Sequence, residues 1–189
     1  QVGANAGETI SFGIGSARST DLGNHSLTTN NASTGGIEIG HAAHDGATPA
    51  NFVNNVKAQT LTVVGKEGSE TVSVADGDTA EEIAALVNAK SGETGVTATA
   101  KTTATLSGLN ADGTVSFKLT GTNTTEPMAI QATVLKDDLS NLASAINEQA
   151  GTTGITATLS DDKKSITLEQ SAGADISIAD FDHNTAGST

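Results

Sequence analysis

The stretch Thr94–Ala100 reads TGVTATA, and the stretch Thr153–Leu159 reads TGITATL. The two stretches begin 59 positions apart (153 − 94). A nearly identical segment at a period of this size indicates a duplicated structural unit. We therefore expect the chain to contain the same fold twice.

The 59-residue offset extends to positions on both sides of these stretches. It aligns Ile83 with Leu142, Asn88 with Asn147, Gly92 with Gly151, and Gly95 with Gly154. Each unit has the pattern strand, strand, helix, strand, with further sheet after it. Because each helix has one apolar face and the strands alternate, the helix must lie on the sheet. The sequence predicts an α+β fold, mainly β, with two similar subdomains, each a small sheet with one packed helix.

In the first unit, the alternating segments TLTVVG and ETVSVADGD are separated by KEGS, which is typical of a hairpin. Thr79 and Glu82 have the spacing of a capping box at the start of a helix. The apolar stripe of that helix is Ile83, Leu86 and Val87, which we expect to be buried. Gly92 is expected to end the helix, and TGVTATA is expected to form the next strand.

In the second unit, VSFKLTG and MAIQATVL predict two strands, and Asp137 or Asp138 is expected to cap the helix that follows. Leu142 and Ile146 lie on the apolar stripe of this helix, and Gly151 is expected to end it. TGITATLS and SITLEQ then predict a hairpin through DDKK, and ADISIADF predicts a final strand.

These patterns divide the chain into four parts. Residues 1–57 are a strand stub, with alternating Ile10, Phe12 and Ile14, followed by a loop-rich lead-in. The first repeat is 58–112, the second is 113–182, and 183–189 are a tail. Because the chain opens on QVGANAGETI without Met, we expect it to be a piece of a longer or processed product.

Composition excludes several classes of function. The net charge of −13 disfavours nucleic acid and anionic membranes as partners. No apolar run approaches the length of a membrane span. The absence of cysteine rules out disulfides and thiolate chemistry. The 29 Thr and 17 Ser favour half-buried strands, and aromatic residues make up only 2% of the chain, so any core must be aliphatic.

Four polar groups in the sequence are candidates for chemical sites. His41, His44 and Asp45 could bind a metal, but Ala42 and Ala43 replace the Glu that a zinc protease needs between its histidines. Asp76–Asp78 lack the later ligands of a calcium loop and are expected to form a turn. Asp161–Lys164 are expected to be a charged hairpin tip. We expect Asp180, Asp182 and His183 to be solvated. The sequence predicts no catalytic residue, no metal and no cofactor.

The chain resembles a known family of filament proteins. QVGANAGETI is similar to the flagellin segment that follows the amino-terminal helices. LTVVG and TAEEIAALVNAKSGETGVTATA, together with FKLTG and DLSNLASAINEQAGTTGITATLS, resemble repeats in the variable region of bacterial flagellins and some hook-associated proteins. The long heptad-patterned helices through which flagellins polymerise are not recognisable in the sequence, whose two helices have about three turns each.

The resemblance implies a non-enzymatic, structural role. The chain would be a surface-exposed outer segment of a filament subunit, serving motility and surface presentation in the extracellular bacterial flagellum. Its partners would be other flagellin subunits, with host or filament-surface contacts as a further expectation. The isolated chain is expected to be a monomer, because its like charges resist close approach.

The resemblance also implies O-linked glycosylation of exposed loops, beside the simpler explanation that Ser and Thr supply β-propensity and solubility. Eight residues lie in polar, turn-like stretches: Ser26, Thr28, Thr29, Ser33, Thr34, Thr122, Thr124 and Thr125. N-linked sequons occur at Asn24 and Asn123.

Three alternatives stay open from the sequence. An adhesin-like binding module is disfavoured by the absence of Tyr and Trp, which stack on sugars. A domain of a hook-associated protein is an alternative, because some of these proteins contain similar repeats. A flagellin-borne metalloprotease rests on the two histidines alone.

Overall fold

A computed structural model of the chain describes Asn54 and residues 56–185. Within these residues, eight strands and four short helices follow one another. In chain order they are β1 (Gln59–Val64), β2 (Ser69–Val74), α1 (Ala80–Asn88), α2 (Ser91–Thr94), β3 (Thr102–Ser107), β4 (Gly113–Thr120), β5 (Met128–Val134), α3 (Ser140–Glu148), α4 (Ala150–Thr153), β6 (Ile155–Leu159), β7 (Ser165–Gln170) and β8 (Ser177–Thr185). The predicted α+β class, mainly β, is confirmed. None of the helices in the described part of the chain has the length and apolar character needed to cross a membrane.

The strands form three small antiparallel sheets. β1 pairs with β2, β7 lies between β3 and β6, and β4 lies between β5 and β8. In the middle sheet, Leu168 of β7 is opposite Ala104 of β3 on one side and Ala157 of β6 on the other. β3 comes from the first repeat and β7 from the second, so this sheet joins the two repeats. The periodicity of the sequence did not predict that pairing.

The main core lies in the second repeat. Alternate residues of β4, including Val115, Phe117 and Leu119, face inward together with residues of β5, β6 and β7. Helix α3 contacts both β5 and β6 and buries Leu142 and Ile146 against them, as predicted. Because α3 rests on strands from two sheets, its apolar face is almost fully covered.

The helix of the first repeat is less well covered. Val87 is buried as predicted, Ile83 is only half-buried, and Leu86 is 38% exposed, so the prediction for Leu86 is wrong. At the positions equivalent to Ile83 and Val87, Leu142 is 3% exposed and Ile146 is fully buried. The reason is that α1 contacts a two-stranded hairpin through β2, whereas α3 is held between two three-stranded sheets.

The repeated TG stretches form the same turn in both copies. The Thr94 hydroxyl donates to the Lys90 carbonyl oxygen at 2.8 Å and accepts the Val96 N–H at 3.1 Å. Thr153 makes the matching bonds with Gln149 and Ile155, and both threonine residues are fully buried. Each glycine that follows has a positive φ, 71° at Gly95 and 69° at Gly154. Only glycine adopts this conformation without strain, which explains the TG pair.

Two predictions about these segments are wrong. Residues 95–101 form no strand in the first copy, although Ile155–Leu159 form β6 in the second. β6 has β7 as a neighbour, whereas β3, the strand that follows 95–101, pairs with β7 instead. Gly92 and Gly151 do not end helices but lie inside α2 and α4. The left-handed glycines three residues later end these segments.

The helix starts are close to the prediction. Thr79 and Glu82 form the expected capping box, with the Glu82 N–H donating to Oγ1 of Thr79 at 3.2 Å and the Thr79 N–H donating to Oε2 of Glu82 at 2.8 Å. In the second repeat, Leu139 is the N-cap residue, and Oδ1 of Asp138 accepts the Ser140 N–H at 2.9 Å. The carboxylate therefore supports the helix start from one position earlier than a standard N-cap.

Candidate functional site

A network of charges joins the β6–β7 turn to the start of α3. Asp137 bonds both Lys136 and Lys164, the latter at 2.8 Å. Hydrogen bonds from these two lysines lower the pKa of Asp137 to about 2. The same contact raises the pKa of Lys164. The predicted charged tip at Asp161–Lys164 is confirmed, and in addition it is tied to a helix start.

Asp138 forms the second half of this network. Hydrogen bonds from Ser140, and then one from Lys163 at 3.0 Å, lower the pKa of Asp138 to about 2. The Leu139 N–H donates to the carbonyl oxygen of Lys163 at 2.9 Å. Asp137 and the three lysines are exposed and Asp138 is half-buried, so the network has the character of a positioned surface ion cluster rather than a reactive site.

Asn54 links the two repeats. Its Nδ2 donates to the Gly77 carbonyl oxygen at 3.0 Å and to Oδ2 of Asp175 at 2.9 Å. Partial burial, followed by the nearby charge of Glu82, raises the pKa of Asp175, although the bond from Asn54 opposes the shift. Sequence patterns gave no signal for this contact, because its partners are 121 residues apart.

The turn after β7 completes the contact between the repeats. Oε1 of the buried Gln170 accepts the backbone N–H groups of this turn, at 2.7 Å from both Ala172 and Gly173. The Gly173 carbonyl oxygen then accepts the Glu81 N–H of α1 at 3.1 Å. Gly173 has φ of 92°, and a side chain there would collide with Ala100. The second repeat therefore satisfies a free N–H at the start of the first repeat's helix.

A cleft of about 240 Å³ lies beside the end of β3, the start of α3 and β8. Its apolar wall includes Leu106, Leu142 and the 55% exposed Phe181, which stacks on the buried Phe117 with ring centroids 6.1 Å apart. His183 also lines the cleft and is half-buried, so the expectation that it is solvated is wrong. Its Nε2 is buried and has no hydrogen-bond partner within the described residues.

The other candidate residues have structural roles where they are described. Asp76 Oδ1 accepts the Ala58 N–H, and Asp78 Oδ2 accepts the Ala75 N–H, so this segment forms a turn as predicted. Asp180 and Asp182 are exposed as predicted, and Asp180 bonds Lys118 at 2.7 Å. The described part of the chain contains no group of three metal-ligating side chains. His41, His44 and Asp45 lie outside the described residues, as does the predicted strand within 1–15.

The turn at residues 121–127 holds three of the eight glycosylation candidates. Thr122, Thr124 and Thr125 are exposed, and the Thr122 hydroxyl donates to the Thr152 carbonyl oxygen at 3.4 Å. Nδ2 of Asn123 donates to two carbonyl oxygens, those of Leu119 and Glu126. A sugar on this nitrogen would remove one of these bonds, which argues against the sequon at Asn123. Ser26, Thr28, Thr29, Ser33 and Thr34, and the sequon at Asn24, lie outside the described residues.

Comparison with known protein families identifies the repeats. The model of the flagellin hook IN motif matches the chain twice, at residues 60–112 and 114–172, which together make up more than half of it. The chain therefore belongs to the flagellin hook IN motif family. It is a flagellin-like structural protein of the bacterial flagellum, an extracellular filament that assembles from flagellin subunits, and the family is not enzymatic. A search of curated proteins found no match to the chain.

Proposed function

We propose that this chain forms a solvent-exposed outer segment of a flagellar filament subunit, where it thickens the filament and presents its surface to the medium and to hosts. The observation that carries the proposal is the pair of flagellin motifs folded as small sheets with short helices. The longest helices of the described residues have nine residues each, too few for a polymerising coiled coil.

The charge of the chain supports an outward-facing position. The chain has 22 Asp and Glu residues against 9 Lys and Arg residues, which gives a net charge of −13. Such a surface favours contact with water over close contact with a second copy, especially at low salt. We expect the isolated chain to be a monomer in dilute solution for this reason.

The proposal includes two finer points. The subdomains are 58–112 and 113–182, with 1–57 as a lead-in and 183–189 as a tail. O-linked sugars would attach to exposed loop hydroxyls, and Thr124 and Thr125 are the best placed of the described candidates, since both side chains are exposed. Peptide mass spectrometry of protein from its native source tests the sugars, and unmodified peptides covering these residues would contradict them.

Deletion tests the proposed place in the filament. Removing residues 16–181 from the parent subunit and rejoining the ends should still permit export and filament growth. Electron microscopy should then show thinner filaments with altered surface recognition. Loss of all filaments from a strain that still exports the shortened subunit would contradict an outer position.

A segment of a hook-associated protein is the second candidate, and the description of the matched family as a flagellin hook motif favours it. Antibodies against the chain separate the two. Labelling along the whole filament supports a flagellin, whereas labelling confined to the junction of hook and filament supports the hook-associated alternative.

A further inference from the structure

One strand edge of the first repeat has no partner among the residues that the structure describes. β1 pairs with β2 on one side only, and no other strand within residues 56–185 pairs with it. The Gly65 N–H bonds the Gly68 carbonyl oxygen and closes the hairpin, so alternate residues from Gly65 backward bond to β2. The backbone groups of Thr60, Thr62 and Val64 therefore face outward. β1 contains no proline and no charged residue, and its register with β2 has no bulge, so this edge lacks the usual protections against strand pairing.

The charges beside this edge are unusual for such an acidic chain. The described residues include eight lysines, and six of them make salt bridges to carboxylates. Asp137 binds two of these lysines, and the other four bind Glu70, Glu169, Asp180 and Asp138. Within that part of the chain, Lys57 and Lys66 are the two without a carboxylate partner. Lys57 lies two residues before β1 and Lys66 two residues after it, and both are exposed. These two lysines favour an acidic strand as the partner of the open edge, although exposed Glu67 and Asp76 lie beside them.

The second repeat shows which kind of strand covers this position. By its place in the repeat, β4 is the counterpart of β1, and β4 carries β8 on the side away from β5. The last residue of each strand shows how much a covering strand buries. Thr120 of β4 is 8% exposed, whereas Val64 of β1 is 72% exposed. β8 is also acidic, with Asp180 and Asp182 exposed.

We propose that the open edge of β1 pairs with the outer edge of β8 from a second copy of the chain. β8 is at the edge of its own sheet, so its outer side is open in the described structure. Exposed Asp182 of one copy would lie near Lys57 or Lys66 of the next. Pairing of β1 with β1 is disfavoured, because an antiparallel match would set Lys57 opposite Lys66.

This contact rests on the proposed place of the chain in a filament, and it specifies how neighbouring subunits are arranged there. β1 and β8 are different surfaces, so the contact is head-to-tail and repeats along a row of subunits instead of closing a dimer. A bulge beside Phe117, where Asp180 has φ of 51°, limits the regular part of β8. The contact is therefore weak between free chains and forms where the filament holds neighbours at high effective concentration.

Single cysteines test the contact, because the chain has none of its own. Full-length subunits carrying Thr62→Cys on β1 or Asn184→Cys on β8, both exposed sites, are assembled into filaments alone and as a mixture. A short bis-maleimide should give cross-linked dimers in the mixture and almost none in either single-variant filament. In the matched control, Thr167→Cys replaces Thr62→Cys in the mixture. Thr167 is exposed but lies on the central strand β7, so this mixture should give almost no cross-linked dimer.

Charge reversal provides a second test of the contact between β1 and β8. Adding Lys57→Glu and Lys66→Glu to the Thr62→Cys subunit should lower the mixed dimer by about threefold, the range of exposed ion pairs. Adding Asp182→Lys to the Asn184→Cys subunit should restore it. Filaments that incorporate both variants without giving the mixed dimer overturn the contact and leave the proposed function intact. If subunits carrying these exposed substitutions never enter filaments, the proposed function itself is contradicted.

Discussion

The side chain of Asn147 makes two hydrogen bonds with the backbone of Ala157, since Nδ2 donates to the carbonyl oxygen at 2.8 Å and Oδ1 accepts the N–H at 2.7 Å. In the first repeat, Asn88 makes the same pair with Ala98, at 2.9 and 2.7 Å. Each amide replaces the backbone of a neighbouring strand and ties the end of a helix to the segment that follows it. The two pairs are 59 residues apart, so the repeat preserves this contact as well as the apolar pattern.

Replacing Asn147 by Ala should lower the free energy of unfolding by about 1–3 kcal/mol, because two partly buried backbone groups lose their partners. Asn88→Ala should cost less, because its bonds are exposed. Asn141→Ala is the control, since it removes one exposed bond to Thr133. Urea unfolding measures all three, and equal losses at Asn147 and Asn141 would refute the role of the double bond.

The two helices should respond differently to truncation. Leu142→Ala should cost about 2–5 kcal/mol, because it leaves a cavity in the main core. Ile83→Ala, at the equivalent half-buried position, should cost less, and Leu86→Ala should change stability by no more than about 0.5 kcal/mol. Thermal unfolding of the three variants gives the order, and a larger loss at Leu86 than at Leu142 would contradict the described packing.

Asp175 should make the chain less stable as the pH rises. Its pKa is raised in the folded state, so the native protein holds the proton more tightly than the unfolded chain. The stability from this proton is present at low pH and is lost as the pH rises through the raised pKa. Asp175→Asn keeps an acceptor for Asn54 and removes the charge, so it should be more stable than the parent at neutral pH. Urea unfolding between about pH 3 and pH 7 tests this, and a destabilised variant at neutral pH would contradict it.

Asp138 should show the opposite dependence. Its pKa is lowered to about 2 by the bonds from Ser140 and Lys163, so its contribution is present above the ordinary pKa of 3.8 and is lost as the pH falls toward 2. Asp138→Asn should destabilise the chain at neutral pH, and the difference from the parent should shrink as the pH falls. The same unfolding series measures it, and a difference that does not change with pH would mean that the charge is not involved.

Alanine substitutions at two glycines should change stability in opposite directions. Gly173→Ala should destabilise the chain, because φ is 92° and the added methyl group meets Ala100. Gly151→Ala should stabilise it by about 0.5–1 kcal/mol, because the position is helical and open. Thermal unfolding gives both signs, and stabilisation by Gly173→Ala would mean that the two repeats do not meet at this turn.

Many contacts of the candidate site could not be predicted from the sequence. The charged turn at Asp161–Lys164 was predicted because four consecutive charges interrupt two alternating strands. Its bonds to Asp137 and Asp138 were not, because those carboxylates looked like helix caps. The contact of Asn54 with Asp175 had no local signal at all, since it depends on how the two repeats meet.

The duplicated unit, the β-rich class, the places of the longer helices and the capping box at Thr79 follow from local sequence, because periodicity, capping and turn chemistry act between residues close in the chain. Which strands pair, and how deeply each helix is buried, depends on tertiary contacts. β3 pairs with β7, so residues 95–101 form no strand, and the helix of the first repeat keeps Leu86 exposed. The two copies of the repeat thus reach different burial, because strand pairing and burial depend on partners far away in the chain, which neither copy encodes alone.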